Sequence, residues 1–186
     1  GHDISDDAVL AALNAVLRTL DPAISGVRRL EGMKDPGFVI VKSGNEIILQ
    51  NGVITNPEIL SSGTREGVRI ALFLAAMMDG YPGVYYCDEH FSCIHSSIEI
   101  SIFRMMVSLL RRDEQLFFTT HNEAIMELDL PKHAYAFLVR DDGRIAVSYA
   151  NRFVQKASDN LRNAVRNGVI CAMPDTRYLD ALRPPL

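Results

Sequence analysis

The chain begins with a helical stripe. Val9, Leu10, Leu13, Val16, Leu17 and Leu20 recur at spacings of three and four, so they share one helix face. Ser5 ahead of Asp6 and Asp7 supplies a cap and places acids at the positive end of the dipole, and Asp21-Pro22 ends the run. From residue 24 to 54 the pattern becomes that of short strands, at 27–30, 38–42 and 46–49. Asp35-Pro36-Gly37 and Ser43-Gly44-Asn45 separate them, and Asn51-Gly52 adds a turn before a short segment ending at Pro57. An antiparallel meander is the expectation. Helical spacing returns over 64–78, followed by a strand at 84–87, a helix at 96–111, a strand at 115–119 and a short helix at 123–128 closed by Pro131. Residues 135–140 and 145–149 flank Asp141-Asp142-Gly143, a hairpin signal, and 157–166 reads as a polar amphipathic helix. Helix–strand–helix–strand through the middle predicts an α/β fold with a parallel sheet and right-handed crossovers.

Val84, Tyr85, Tyr86 and Cys87 form an unbroken apolar run that ends in two acids, Asp88 and Glu89. Such a run predicts a fully buried strand. Carboxylates belong only at its C-terminal tip, where open α/β sheets bind ligands. Two acids at that tip can divide labour, one holding Mg²⁺ through its water shell and the other orienting or deprotonating an attacking water. A strand that simply stops at a solvated turn is the alternative. Leu60-Ser61-Ser62-Gly63-Thr64 stands at the start of the long helix, where exposed amides and the dipole make an anion site, or where the same residues serve as a plain cap. The strand Phe117-Phe118-Thr119 delivers Thr120, His121 and Asn122 to a sheet edge. If the two strands are neighbours, His121 and Glu89 lie at adjacent tips, and the imidazole can hydrogen-bond a phosphate or a water. A capping or packed histidine is the other reading. His90 and His95 with Asp88 do not make a metal site, because a five-residue spacing shares no helical face and no fourth ligand is at hand.

Composition narrows the function classes. With 186 residues, 48% of them hydrophobic, the chain can bury one good core. Along it we expect a tag remnant at 1–2, an N-terminal helix and meander at 3–57, a chemistry-bearing lobe at 58–176 and a tail at 177–186. A net charge of −4, from 19 basic and 23 acidic residues, gives no global basic field for nucleic acid. Arg104, Arg111 and Arg112 could form a stripe, but Asp113 and Glu114 adjoin it, so a solvated face is expected. Cys87, Cys93 and Cys171 form no CxxC pair, which fits a reducing, cytoplasmic setting. No apolar run reaches membrane-spanning length and no cleavable signal is visible, so no membrane partner is expected.

Taken in order, LSSGT, VYYCDE, the helix-leading His95 and FFTTHN resemble the C-terminal half of an ABC-type ATPase head. The similarity is to the SMC/RecF/OLD branch, in particular to bacterial AAA-type ATP-binding proteins linked to phage defence and abortive infection. Asp159-Asn160-Leu161 and the stretch from Gly168 to Pro174 loosely resemble that group's closing motif, with Cys171 in place of its second glycine. The resemblance spans about residues 20–175. It implies a P-loop NTPase half-domain, with a central, mostly parallel sheet flanked by helices and antiparallel strands at the edges. It also implies that Asp88 is the Walker B aspartate positioning Mg²⁺ through water, Glu89 the general base and His121 the switch histidine. Ser61, Ser62 and Gly63 become the signature that touches ATP held by a second subunit, and Ile94 and His95 the loop crossing a head-to-tail dimer interface. Hydrolysis would then drive an effector protein or a nucleic-acid transaction.

Nothing in the chain matches GxxxxGK[ST], the phosphate loop such a head needs. Asp35-Pro36-Gly37 and Lys42-Ser43-Gly44 lack its spacing and its following helix. The expectation is that ATP binds with a Walker A part lying elsewhere in the same protein or on a partner subunit. The competing reading is a non-catalytic dimerisation or docking module. A metal-dependent nuclease is disfavoured, because no Asp-x-Asp follows an apolar strand.

Overall fold

The computed structural model describes residues 4–32, 37–80, 83–141, 144–153 and 161–170. The tag remnant, the turn residues 35–36 and 142–143, the start of the 157–166 helix, Cys171 and the tail lie outside them. The chain divides into two compact units, residues 1–121 and 122–186.

In the first unit, helix α1 (Asp6–Leu20) is capped by Ser5, whose side chain accepts from the Ala8 amide, and it buries Val9, Leu13, Val16 and Leu17. Strands β1 (Ile24–Arg29), β2 (Gly37–Lys42), β3 (Asn45–Gln50) and β4 (Val53–Ile54) form the expected antiparallel meander in the order β1-β2-β3-β4. Lys42 pairs with Asn45 across Ser43-Gly44, and Gln50 with Val53 across Asn51-Gly52. All four turn residues have positive φ, between 48° and 81°, the mark of type I′ hairpins. Asn14 reaches from α1 to the β1 edge, donating to the Val27 carbonyl at 2.8 Å and accepting from the Val27 amide at 2.9 Å. The helix thereby satisfies backbone groups that an open edge would leave bare.

Helix α2 (Ser62–Met78) runs against α1. The Ser5 hydroxyl donates to Asp79 at the far end of α2, and at Gly67 a Cβ would lie 2.3 Å from a Leu20 methyl. Glycine there leaves the Leu20 methyl room to lie directly against α2. Leu13, Leu17, Ile40, Ile47, Ile70 and Met77 are almost wholly enclosed in the shared core. The segment boundary expected at 57–58 therefore falls inside one packed unit. Strand β5 (Val84–Asp88), helix α3 (Ser96–Leu109) and strand β6 (Gln115–Thr119) complete this unit, with β5 and β6 in parallel register from Val84↔Gln115 to Asp88↔Thr119.

Two sequence expectations need correction here. Strand β5 is not buried on both faces: Tyr85 and Cys87 point into the core, whereas Val84 is 64% and Tyr86 60% exposed. On β6, Phe117 shares the open face, its ring 6.5 Å from that of Tyr86. An all-apolar run carries no alternation, so it could not reveal which face would be covered. Helix α3 also stops at Leu109 and not at 111, while Arg104, Arg111 and Arg112 are exposed, as a solvated face requires. Arg111 also donates to the Gly80 carbonyl.

The second unit holds 3-10 turns at Glu123–Glu127, Lys132–Ala134 and Ala150–Arg152, the hairpin of β7 (Ala136–Asp141) and β8 (Arg144–Tyr149), and the short helix α4 (Leu161–Arg166). The Tyr135 hydroxyl donates to the Ile125 and Leu128 carbonyls, and Arg162 pairs with Glu123 and Glu127.

Candidate functional site

The acids and the histidine converge. Because β5 and β6 are parallel neighbours in register, their C-terminal tips lie side by side. The Thr119 hydroxyl donates to Asp88 Oδ1 at 2.5 Å and accepts from the Glu89 amide at 3.1 Å. The Glu89 amide also reaches the Thr119 carbonyl at 3.3 Å. Thr119, a residue sequence reasoning passed over, thus stitches the two tips together. Glu89 turns the chain with φ of 51°, a left-handed conformation uncommon for a residue with a side chain. His121 Nε2 then stands 2.9 Å from Glu89 Oε1, with both side chains largely open to solvent. Carboxylate and imidazole in contact at a solvent-facing tip can orient a water and pass its proton.

The serine-glycine segment forms the N-terminus of α2. Ser61 is the cap: its hydroxyl accepts from the Thr64 amide at 3.1 Å and lies 2.8 Å from the Thr64 hydroxyl. The capping reading of Ser61 is therefore realised in the structure. Ser62 is exposed at the same tip, and the first-turn amides of Ser62 and Gly63 have no acceptor within the helix. Gly63 has a second reason to be glycine, since a Cβ there would lie 2.7 Å from the Cys93 carbonyl oxygen. Thr64 is buried beneath the tip, next to Asp21, whose carboxyl also pairs with Lys42 at 2.9 Å. The Lys42 ammonium donates in addition to the Ile59 carbonyl at 3.0 Å. The Lys42 hydrogen bond is the main cause holding the Asp21 carboxyl below its usual range, against the opposing effect of burial.

Between the two tips runs the loop 89–95. Phe91 is buried and packs on Phe118 with ring centroids 5.3 Å apart. His90 Nδ1 meets Glu66 Oε1 of α2 at 2.5 Å, and Arg69 holds the other Glu66 oxygen at 3.2 Å. Ile94 is half-buried. His95 caps α3, its Nδ1 accepting from the Ser97 amide at 3.3 Å. Glu99, in the first turn of α3, is buried and accepts from the Thr120 hydroxyl. Neither Glu66 nor Glu99 was marked by the sequence, because each owes its place to a partner more than twenty residues away. Burial, together with the negative charges of Glu66, Asp88 and Glu99, pushes the Cys87 thiol up to about 12.

Among the described residues, no three histidine, cysteine, aspartate or glutamate side chains cluster as a metal cage. The exposed Asp88 carboxylate beside the Thr119 hydroxyl fits Mg²⁺ all the same, since that ion keeps waters and substrate phosphates and needs only one or two carboxylates.

No family model matches the chain, and no curated protein matches it. Solved structures do. One, from work on the structural biochemistry of ATP-driven dimerization and DNA-stimulated activation of SMC ATPases, superposes with a TM-score of 0.54 at 14% identity. That match covers 97% of this chain and 94% of the other. Another, an SMC head bound to the C-winged helix domain of ScpA, gives a TM-score of 0.50 at 13% identity over 78% of this chain. Only 44% of that second chain is covered, so this chain spans less than half its length. The architecture is that of SMC ATPase heads, the ABC type of P-loop NTPase fold. No described helix is long and apolar enough to cross a membrane.

Proposed function

We propose that this chain is the hydrolytic lobe of an ATPase head and completes its nucleotide site with a phosphate loop supplied from outside these residues. The observation that carries the reading is the contact between Glu89 and His121, beside Asp88, at adjacent tips of two parallel strands. Glu89 acts as the general base on the attacking water, and His121 holds that carboxylate in place and meets the γ-phosphate. Asp88 positions Mg²⁺ through water, and the ion supplies charge neutralisation on the phosphates when bound. The α2 tip at Ser61, Ser62 and Gly63 offers amides and a dipole to the phosphate of a second head, in a head-to-tail pair with Ile94 and His95 near the interface.

The open face of Val84, Tyr86 and Phe117 supports a missing cover, since parallel sheets are almost always buried on both sides. The match to less than half of a longer SMC head supports the same division. The LSSGT and FTTHN resemblance supports a role in phage defence, with hydrolysis driving an effector or a nucleic-acid transaction in the cytoplasm.

The test is Glu89→Gln in the assembled protein, where turnover should fall roughly 10²–10⁴-fold, the usual worth of a general base. Near-normal turnover would sink the assignment. The absence of any GxxxxGK[ST] favours a second reading, a docking module that uses the fold without nucleotide. A stable dimer whose sedimentation is indifferent to Mg²⁺-ATP would decide for that alternative.

A further inference from the structure

The loop that carries Glu89 is docked on the helix that carries the serine-glycine tip, at two matched points. Gly63 and Glu66 are three residues apart and so share one face of α2. Gly63 faces the Cys93 carbonyl, at a spacing no side chain would permit, and Glu66 meets His90 at 2.5 Å. On the loop the two partners, Cys93 and His90, are again three residues apart, in reverse order. Glu66 is fixed from both sides, since its second oxygen is held by Arg69. His90 directly follows Glu89, whose left-handed backbone leaves it dependent on its neighbours for its conformation. The α2 tip and the backbone of Glu89 are therefore linked through one side-chain hydrogen bond.

We propose that the Glu66–His90 hydrogen bond is a strut by which the anion-binding tip of α2 positions the Glu89 carboxylate, so that Glu66 and His90 are positioning residues for hydrolysis. The proposal rests on the ATPase reading above. Under that reading the tip touches the nucleotide of one composite site and Glu89 serves another. The strut then makes the state of one site felt at the other within a single chain.

The experiment has two arms. On this chain, amide hydrogen exchange is measured for wild type, Glu66→Leu, His90→Leu, His90→Asn and Arg69→Gln. Glu66→Leu and His90→Leu should speed exchange across residues 89–94 by about tenfold or more, the factor that one hydrogen bond to a charged group is worth. The meander at 37–54 should stay unchanged. His90→Asn places an amide donor where Nδ1 stood and should restore protection. Arg69→Gln leaves the strut in place and should have little effect. Exchange at 89–94 within twofold of wild type in both strut-breaking variants would overturn the proposal.

In the assembled ATPase, Glu66→Leu should lower kcat with the KM for ATP unchanged, and an unaltered kcat would likewise overturn it. Glu89→Gln run beside it keeps the two claims apart. If Glu89→Gln leaves turnover normal, the general-base assignment falls, while the exchange arm still decides whether the strut exists.

Discussion

Gly63→Ala tests whether the α2 tip and the Glu89 loop are as closely docked as the structure has them. The added Cβ would sit 2.7 Å from the Cys93 carbonyl oxygen, where ordinary contact begins near 3.4 Å. The obstacle is backbone, which cannot rotate away, so the loop has to retreat by roughly 0.7 Å. Overpacking of this kind costs about 1–3 kcal/mol. Alanine returns up to about 1 kcal/mol in helix propensity, and less in the first turn. The net expectation is a loss of about 0.5–2 kcal/mol, or roughly 1–8 °C in Tm for a chain of this size. Gly67→Ala is the internal control. Its Cβ would come closer still, 2.3 Å from a methyl, but that methyl is the far end of the half-buried Leu20 side chain, which can swing aside. The chain has no Trp, so urea and thermal unfolding are best followed by far-UV circular dichroism. A Gly63→Ala protein as stable as wild type, beside a Gly67→Ala protein that is severely weakened, would refute the reasoning.

Two further outcomes follow from ionisable groups. The Asp21 carboxyl is held below its usual value chiefly by Lys42, so its contribution is present above about pH 4 and is lost as pH falls through the lowered pKa. Asp21→Asn should cost about 1–3 kcal/mol at neutral pH and give a shallower loss of stability below pH 4, read from urea midpoints across pH; an unchanged acid slope would count against the pairing. The Cys87 thiol, at about 12, should resist iodoacetamide at pH 8 while exposed Cys93 reacts, as peptide mass spectrometry will show. Because its folded-state pKa is raised, Cys87 takes stability away only as pH climbs above about 9. Equal labelling of both thiols would contradict the burial.

Much of this molecule was legible in its residues, and the illegible parts share one cause. The cap at Ser5, the Ser43-Gly44 and Asn51-Gly52 turns, the long α2 helix and the two strands ending in Asp88 and Thr119 all declare themselves through local chemistry. The approach of His121 to Glu89 required only that β5 and β6 be neighbours, which the helix between them favours. Local pattern could not show which face of β5 is covered, since Val84 and Tyr86 are as apolar as Tyr85 and Cys87. Nor could it show that Glu66 would be drawn to His90, or that Glu99 would be buried against Thr120. Those placements depend on which elements pack together across long separations.

The backbone at Glu89 separates the catalytic reading from the docking one. A glutamate at φ 51° carries a steric cost of about 1–2 kcal/mol that glycine would not. A module needing only to dock a partner gains nothing by keeping a strained carboxylate in the open, whereas a hydrolytic site gains its base. Glu89→Gly should therefore relieve strain, offset in part by about 0.4–1 kcal/mol of added freedom in the unfolded chain. Glu89→Ala keeps the strain and removes the same carboxylate. The glycine variant should be the more stable of the two by up to about 1 kcal/mol, and under the proposed ATPase reading both should abolish turnover alike in the assembled protein. Thermal unfolding of the pair settles the strain, and turnover settles its use. An alanine variant more stable than the glycine one would remove the strain argument. Full activity in either would return Glu89 to an ordinary turn residue and leave the docking module as the better account.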